Sequence, residues 1–175
     1  YAIQLDTITQ IMYCAGSTNV NIPTSSAPYD ANGYLNNISG LNGGSTPNPP
    51  YSAAVIYRIN SAGNDLLDLT LYGPSSISSG QYVKAYSISL SQNRVFVGGF
   101  TTIDIPIPPS PAPTPFDGTR SNQDGFVAVF SKDLGTLEYA TYLGSNGNET
   151  FGVTSIQALS DNGFVTGFTP DEALP

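Results

Sequence analysis

Residues 87–106 open with Ser87-Ile88-Ser89-Leu90, run through Val95-Phe96-Val97-Gly98-Gly99-Phe100-Thr101 and reach Ile105-Pro106. The same order of residue types occurs twice more. Residues 2–23 hold Ile3-Gln4-Leu5, Met12-Tyr13-Cys14-Ala15-Gly16 and Ile22-Pro23. Residues 155–175 hold Ser155-Ile156-Gln157-Ala158-Leu159, Phe164-Val165-Thr166-Gly167-Phe168-Thr169 and Leu174-Pro175. Gly16, Gly99 and Gly167 anchor the register, and a proline follows each at similar spacing. Self-similarity of this kind points to a repeat architecture.

A second unit recurs between these segments. Ala54-Val55-Ile56-Tyr57, Gly63 and Leu71-Tyr72-Gly73 match Phe126-Val127-Ala128-Val129, Gly135 and Tyr142-Leu143-Gly144. The period is about 70–80 residues, longer than the roughly 40–50 of common propeller repeats. The chain divides into approximate units 1–82, 83–152 and 153–175 of one domain.

Each unit predicts four short strands. Alternation marks strands over 153–159 and 163–168, joined by Ser160-Asp161-Asn162-Gly163, which has the chemistry of a tight hairpin. Strands over 125–131 and 137–143 flank Lys132-Asp133-Leu134-Gly135. No window carries a sustained helical period with caps. The expected fold is all-β: β-propeller blades of four antiparallel strands, part of a larger propeller, with a β-sandwich as the alternative.

Composition excludes several functions. The 175 residues include 5 Lys and Arg against 13 Asp and Glu, a net charge of -8, no His, no Trp and one Cys. So few cations cannot neutralise a run of phosphates, which argues against nucleic acid as a partner. Without His, the usual zinc sites and the Ser-His-Asp triad are closed. No apolar run approaches the roughly 20 residues of a membrane-spanning helix, so no membrane insertion is expected. Neither an initiator Met nor a signal-peptide pattern is present, so Tyr1 is expected to be a processed or artificial start.

Three stretches resemble a known family. They are Asp124-Gly125-Phe126-Val127-Ala128-Val129-Phe130, then Tyr139-Ala140-Thr141-Tyr142-Leu143-Gly144-Ser145-Asn146-Gly147-Asn148-Glu149, then Asp161-Asn162-Gly163-Phe164-Val165-Thr166-Gly167-Phe168-Thr169. Together they resemble the bacterial SBBP (seven-bladed β-propeller) repeat. The likeness is good over 124–175, fair over 83–106 and loose over 1–23 and 53–73. Cys14-Ala15 departs from that repeat's usual Val-Thr, and Leu71-Tyr72-Gly73-Pro74 lacks its double Gly. The resemblance implies a secreted or surface-exposed bacterial propeller within a longer chain. It implies no activity. Two full units fall short of the roughly four to eight blades that close a propeller, so a larger parent protein is expected.

The excess length of each unit lies at 17–52 and 101–123, both between the second and third strands. In an up-and-down blade those links share one end with the link between blades, here 144–152, and loops are where binding sites form. Residues 105–115 predict a stiff polyproline II segment, read as a rigid spacer ahead of a partner's PxxP ligand. Residues 28–50 mix Tyr29 and Tyr34 with many Asn and Gly, a composition suited to glycan stacking and amide hydrogen bonds. The plainer alternative is a solvated loop packed on itself.

Single residues are weighed in the same way. Cys14 aligns with Val97 and Thr166 and predicts a small buried side chain rather than a reactive thiol. Tyr13, Phe96 and Phe164 recur at one register and predict sheet-packing core. Asp117, Asp124 and Glu149 fall near the loop-rich end, where two carboxylates suffice for glycosidic chemistry without His. They also suit Ca²⁺, yet no D-x-D-x-D-G loop is present, and Asp124 is better read as capping the turn before its strand. Asn37-Ile38-Ser39 and Asn148-Glu149-Thr150 are glycosylation sequons, a triplet that arises by chance in an Asn-rich chain.

The leading expectation is a non-enzymatic scaffold, adhesion or ligand-display module, extracellular or on the bacterial surface. Tyr29 and Tyr34 are its ligand-binding candidates, with no catalytic residue, metal or cofactor. Its partners are other blades of the same chain or neighbouring subunits, and glycan. Two rivals remain: a polysaccharide-active enzyme using its carboxylates, and a structural subunit of a surface filament or array.

Overall fold

The computed structural model describes residues 1–19, 51–74, 76–108, 113–144 and 152–167. Within them the chain is all-β. Strands β1 (Ala2–Asp6), β2 (Ile11–Thr18), β3 (Tyr51–Asn60) and β4 (Leu66–Tyr72) form one antiparallel meander. Strands β5 (Gln81–Leu90), β6 (Arg94–Thr101), β7 (Asp124–Ser131) and β8 (Leu137–Leu143) form a second. A hairpin of β9 (Ser155–Ser160) and β10 (Gly163–Gly167) follows. A short parallel contact, Tyr51↔Gln81 and Ser52↔Tyr82, joins the two meanders at one end. These two meanders are the four-stranded antiparallel units expected of propeller blades, each with its strands in chain order, and a hairpin packs against the second. The expected alternative, a sandwich, shares the face-to-face packing. Sequential neighbours pair within each meander, and the parallel β3–β5 contact is the one non-sequential pairing among the described residues.

Packing between sheets explains the strand sequences. A strand covered on both faces reads as a continuous apolar run rather than an alternating one. Gly125-Phe126-Val127-Ala128-Val129-Phe130 is such a run, and all of it is buried. Phe126, Ala128 and Phe130 point at the first blade, joining Tyr13, Ala15, Ile56 and Tyr72 in the main core. Val127 and Val129 point the other way, packing with Phe96, Val153 and Ile156 beneath the β9–β10 hairpin. Tyr72 is the wedge of the first interface, its ring centroid 5.5 Å from those of both Phe126 and Phe130. Each such aromatic pair adds about 0.5–1.5 kcal/mol beyond the area it buries.

Gly98 and Gly99 are required by close approach. A Cβ on Gly98 would strike Val153 and the Ser87 hydroxyl, and one on Gly99 would strike the Lys84 carbonyl and the Phe126 ring. The hydroxyls of the innermost strand then join the sheets. Ser87 Oγ donates to the Val153 carbonyl at 3.0 Å, and Ser89 Oγ accepts from the Ala158 amide at 3.0 Å.

The ladders correct two of the alignments. Gly16 pairs with Val55 as Gly99 pairs with Phe126, so Val55, not Ala54, occupies the place of Phe126. Continuing in step, Gly63 occupies the place of Leu134 rather than Gly135. Both have positive φ, 72° and 60°, and both donate to the carbonyl three residues back. Likewise Tyr13 and Phe96 face the following sheet, whereas Phe164 faces the preceding one, with its ring 5.8 Å from Phe96. Phe164 is therefore packed against the sheet but is one residue out of the Tyr13 register. In β-structure a one-residue slip exchanges the two faces.

Leu134 combines a left-handed backbone with a side chain that is 1% exposed in the main core. That conformation costs a residue with a Cβ about 1–2 kcal/mol, while truncating a buried Leu costs about 2–5 kcal/mol. Leu134→Gly relieves the first and forfeits the second. It should destabilise the protein by about 1–3 kcal/mol in urea unfolding. A gain in stability would show that the Leu134 side chain anchors nothing.

Candidate functional site

The strand directions place the connections 7–10, 61–65, 91–93, 132–136 and 161–162 at one end of the blades. The connections between β2 and β3, β4 and β5, β6 and β7, and β8 and β9 all lie at the other end. Function is therefore sought first at this second, loop-rich end.

The connection from β6 to β7 is built onto the blades. Ile105 is 6% exposed, and its amide donates to Tyr142 Oη at 2.8 Å. Tyr72 Oη donates to the Pro106 carbonyl at 2.9 Å. Burial raises the Tyr142 phenol above its ordinary pKa, so it stays neutral as a hydrogen-bonding post. Further along, the Tyr142 amide donates to the Asp117 carbonyl at 3.0 Å, and the Asp117 amide donates to Thr141 Oγ1 at 2.9 Å. The two limbs of the connection are tied by Arg120, whose Nε donates to Asp104 Oδ1 at 3.1 Å and whose Nη1 donates to the Ser121 carbonyl at 3.2 Å. The expected spacer thus begins as a clasp. Its first residue, Ile105, lies in the core, and residues 109–112 are outside those described.

The carboxylates at this end hold turns. Asp124 is 2% exposed; its Oδ2 accepts from the Ser121 amide and its Oδ1 from Ser121 Oγ, both at 2.9 Å. This is the capping role read from the sequence. Asp117 Oδ1 accepts from the Thr119 amide at 2.8 Å and Thr119 Oγ1 at 3.0 Å. Among the described residues no cluster of three or more His, Cys, Asp or Glu is placed to hold a metal ion. Glu149, Tyr29, Tyr34 and both sequons lie outside the described residues. Cys14 is buried at 4% exposed, and desolvation pushes its thiol pKa up, countered in part by a hydrogen bond with Tyr57. It is therefore inert as a nucleophile under ordinary conditions.

Sequence reasoning missed the polar cluster at the opposite end. Asp161, in the β9–β10 turn, accepts from Ser91 Oγ at 2.6 Å, the Asn93 amide at 2.9 Å and Asn93 Nδ2 at 2.6 Å. Arg94 donates to the Asp161 carbonyl and, at 2.7 Å, to Asn162 Oδ1. The Ser91 hydroxyl first, then Asn93, hold the Asp161 carboxyl at a pKa of about 2. A cavity of about 370 Å³ opens beside this cluster, floored by Phe96, Val129, Tyr139 and Phe164. Nothing local in the sequence joins Ser91 to Asp161, because stacking of separate hairpins brings them together.

Compared with known proteins, the chain matches no family model and no curated protein.

Two measurements test these roles. Asp124→Ala leaves the Ser121 amide without its acceptor, so it should cost about 1–3 kcal/mol in denaturant unfolding; an unchanged midpoint would remove the capping role. Asp161 has a folded pKa below the unfolded value, so its contribution to hairpin docking is present above the ordinary 3.8 and lost as pH falls through about 2. Carboxyl-carbon NMR should give that low midpoint, moving upward in Ser91→Ala. A midpoint indifferent to Ser91 would show that the hydroxyl does not hold the carboxylate.

Proposed function

We propose that this chain is a non-enzymatic propeller segment of a secreted or surface-exposed bacterial protein, and that its blades display ligand-binding loops at one end. The observation that carries the reading is the one-ended distribution of the long connections over antiparallel four-stranded units. Such blades hold loop roots at fixed separations, which lowers the entropy lost when loops bind. The clasp of 102–108 and 113–123 shows how a root is secured, through Tyr72, Thr141 and Tyr142. Bacterial origin and exposure at the surface rest on the resemblance to the SBBP repeat. One further point supports display over catalysis. Asp117 Oδ1 and both Asp124 carboxylate oxygens accept from neighbouring amides and hydroxyls, and Asp124 is buried away from solvent. Among the described residues no helix is long and apolar enough to cross a membrane.

Glycan is the ligand class favoured by Tyr29 and Tyr34 within the Asn- and Gly-rich 28–50 segment. Aromatic faces stack on sugar rings, and amides satisfy the hydroxyls. The protein should be retained on immobilised polysaccharide, and Tyr29→Ala and Tyr34→Ala should each weaken retention without lowering the melting temperature. Retention indifferent to both would move the site elsewhere, and release of reducing sugar by the unmodified protein would overturn the non-enzymatic reading.

A further inference from the structure

We infer that Asn162-Gly163, in the β9–β10 turn, is a self-modifying site: the Gly163 nitrogen closes on the Asn162 side chain, ammonia leaves, and water opens the ring to a carboxylate beside Arg94. The inference stands apart from what the loops at the other end bind. It rests on one exposed amide and on the groups around it.

Among the described residues an Asp or Asn precedes Gly at Asp117-Gly118, Asp124-Gly125 and Asn162-Gly163. Asp124 is buried with its oxygens held by Ser121, and Gly125 lies inside the β6–β7 ladder. Asp117 Oδ1 is held by Thr119. Asn162 alone of the three offers an amide, whose carbon is a better electrophile than that of a carboxylate. It is exposed, and Arg94 Nη1 donates to its Oδ1 at 2.7 Å. Negative charge gathers on that oxygen when the Gly163 nitrogen adds to Cγ, and a donor already aimed there favours the addition. Asn162 Nδ2 has no hydrogen-bond partner among the described residues, so ammonia departs without breaking one.

The fold does not require a glycine at 163. Its φ is not left-handed, and a Cβ there would meet only Ser160 Oγ, at an ordinary 3.6 Å, whereas Gly98 and Gly99 have no such room. What the missing side chain gives is access, because a Cβ on the following residue crowds the approach of its nitrogen to Cγ. The β9–β10 register also shifts between Gly163 and Phe164, so the attacking nitrogen stands where the ladder breaks. In the reaction the Gly163 N–Cγ bond forms and the Cγ–Nδ2 bond breaks. The Gly163 proton passes to water, and the departing ammonia takes one from water. Water then opens the cyclic imide at either carbonyl. Opening at Cγ leaves an ordinary aspartate; opening at the main-chain carbonyl leaves an isoaspartate, whose backbone runs through Cγ and is one carbon longer. Both products set a carboxylate beside Arg94. The longer backbone also draws Asp161 away from Ser91 and Asn93, whose bonds fasten the hairpin to the β5–β6 turn.

The test holds the whole folded chain at mildly alkaline pH and maps its peptides for acid and isoaspartate at 162. Conversion should rise in proportion to hydroxide, since the Gly163 nitrogen attacks deprotonated. It should run at least as fast as in a free peptide of residues 155–167, which lacks Arg94. Gly163→Val should keep the melting temperature, given the open space at 163, and lose the conversion, because a β-branched side chain crowds the nitrogen. In converted protein the Asn93 amide, which donates to Asp161 Oδ1, should exchange its hydrogen faster, while the hairpin ends 7–10 and 61–65 stay as they were. Three results would overturn the proposal. One is a folded chain that keeps its amide while the peptide loses it. Another is conversion that persists in Gly163→Val, which would mean direct hydrolysis by water. The third is converted protein whose Asn93 amide exchanges as before, which would leave the turn indifferent to the change.

Discussion

Tyr72 sits between Phe126 and Phe130, and the contact between sheets that it wedges is the condition for the rest of the structure. A four-stranded blade has too little depth to bury its own side chains. It becomes stable when an apolar face packs against another sheet. That requirement puts apolar residues at successive positions of β7, small residues where strands cross closely at Gly98 and Gly99, and serines where an innermost strand bonds the next. It also explains the sparse charge of the chain. Most charged side chains within strands meet an opposite charge, while Lys84 lies over the Tyr82 ring and Asp124 accepts from Ser121. Arg58 meets Asp68 across β3 and β4, and Arg94 meets Glu138.

The same constraint leaves the outermost strand of each blade with an edge to manage. An exposed edge invites pairing with other chains unless something covers it. Beside β8 the connection from β6 supplies the cover, because Asp117 gives its carbonyl to the Tyr142 amide and its amide to the Thr141 hydroxyl. The long connection is therefore partly structural. Its limbs, 102–108 and 113–123, close an edge and cap the core. A proline-rich composition fits both tasks. Proline donates no hydrogen bond, and its fixed φ keeps the limb extended as it crosses from Tyr72 to Tyr142.

Strand positions were legible in the sequence because alternation and turn residues act locally. The expected strands over 125–131, 137–143, 153–159 and 163–168 lie close to β7, β8, β9 and β10. Facing was harder to read. Matching Gly63 to Gly135 was chemically reasonable, since glycine is the ordinary occupant of a left-handed turn position. In the second blade that position belongs to Leu134, which accepts the strain because its side chain fills the core, and the glycine comes one residue later. Phe164 misled in the same way, since an aromatic fits either face of a sheet covered on both sides. The Asp124 cap was legible because its partner Ser121 is three residues away. The Asp161 cluster was not, because Ser91 and Asn93 belong to another hairpin and meet it only after the sheets stack.

The two ends of the blades thus divide the labour of the molecule. At the hairpin end, Lys132 with Asp6 and Asp161 with Ser91 and Asn93 bridge one sheet to the next. These polar bonds resist sliding, which apolar faces alone do not, since hydrophobic contact is non-directional. The opposite end is thereby released from setting the angle between sheets. Connections of very different length and composition can leave β2 and β6 there while Tyr13 and Phe96 keep equivalent places beneath them. A scaffold whose geometry is fixed at one end tolerates variation at the other. On physical grounds the long loops are accordingly where binding can diversify at least cost to stability.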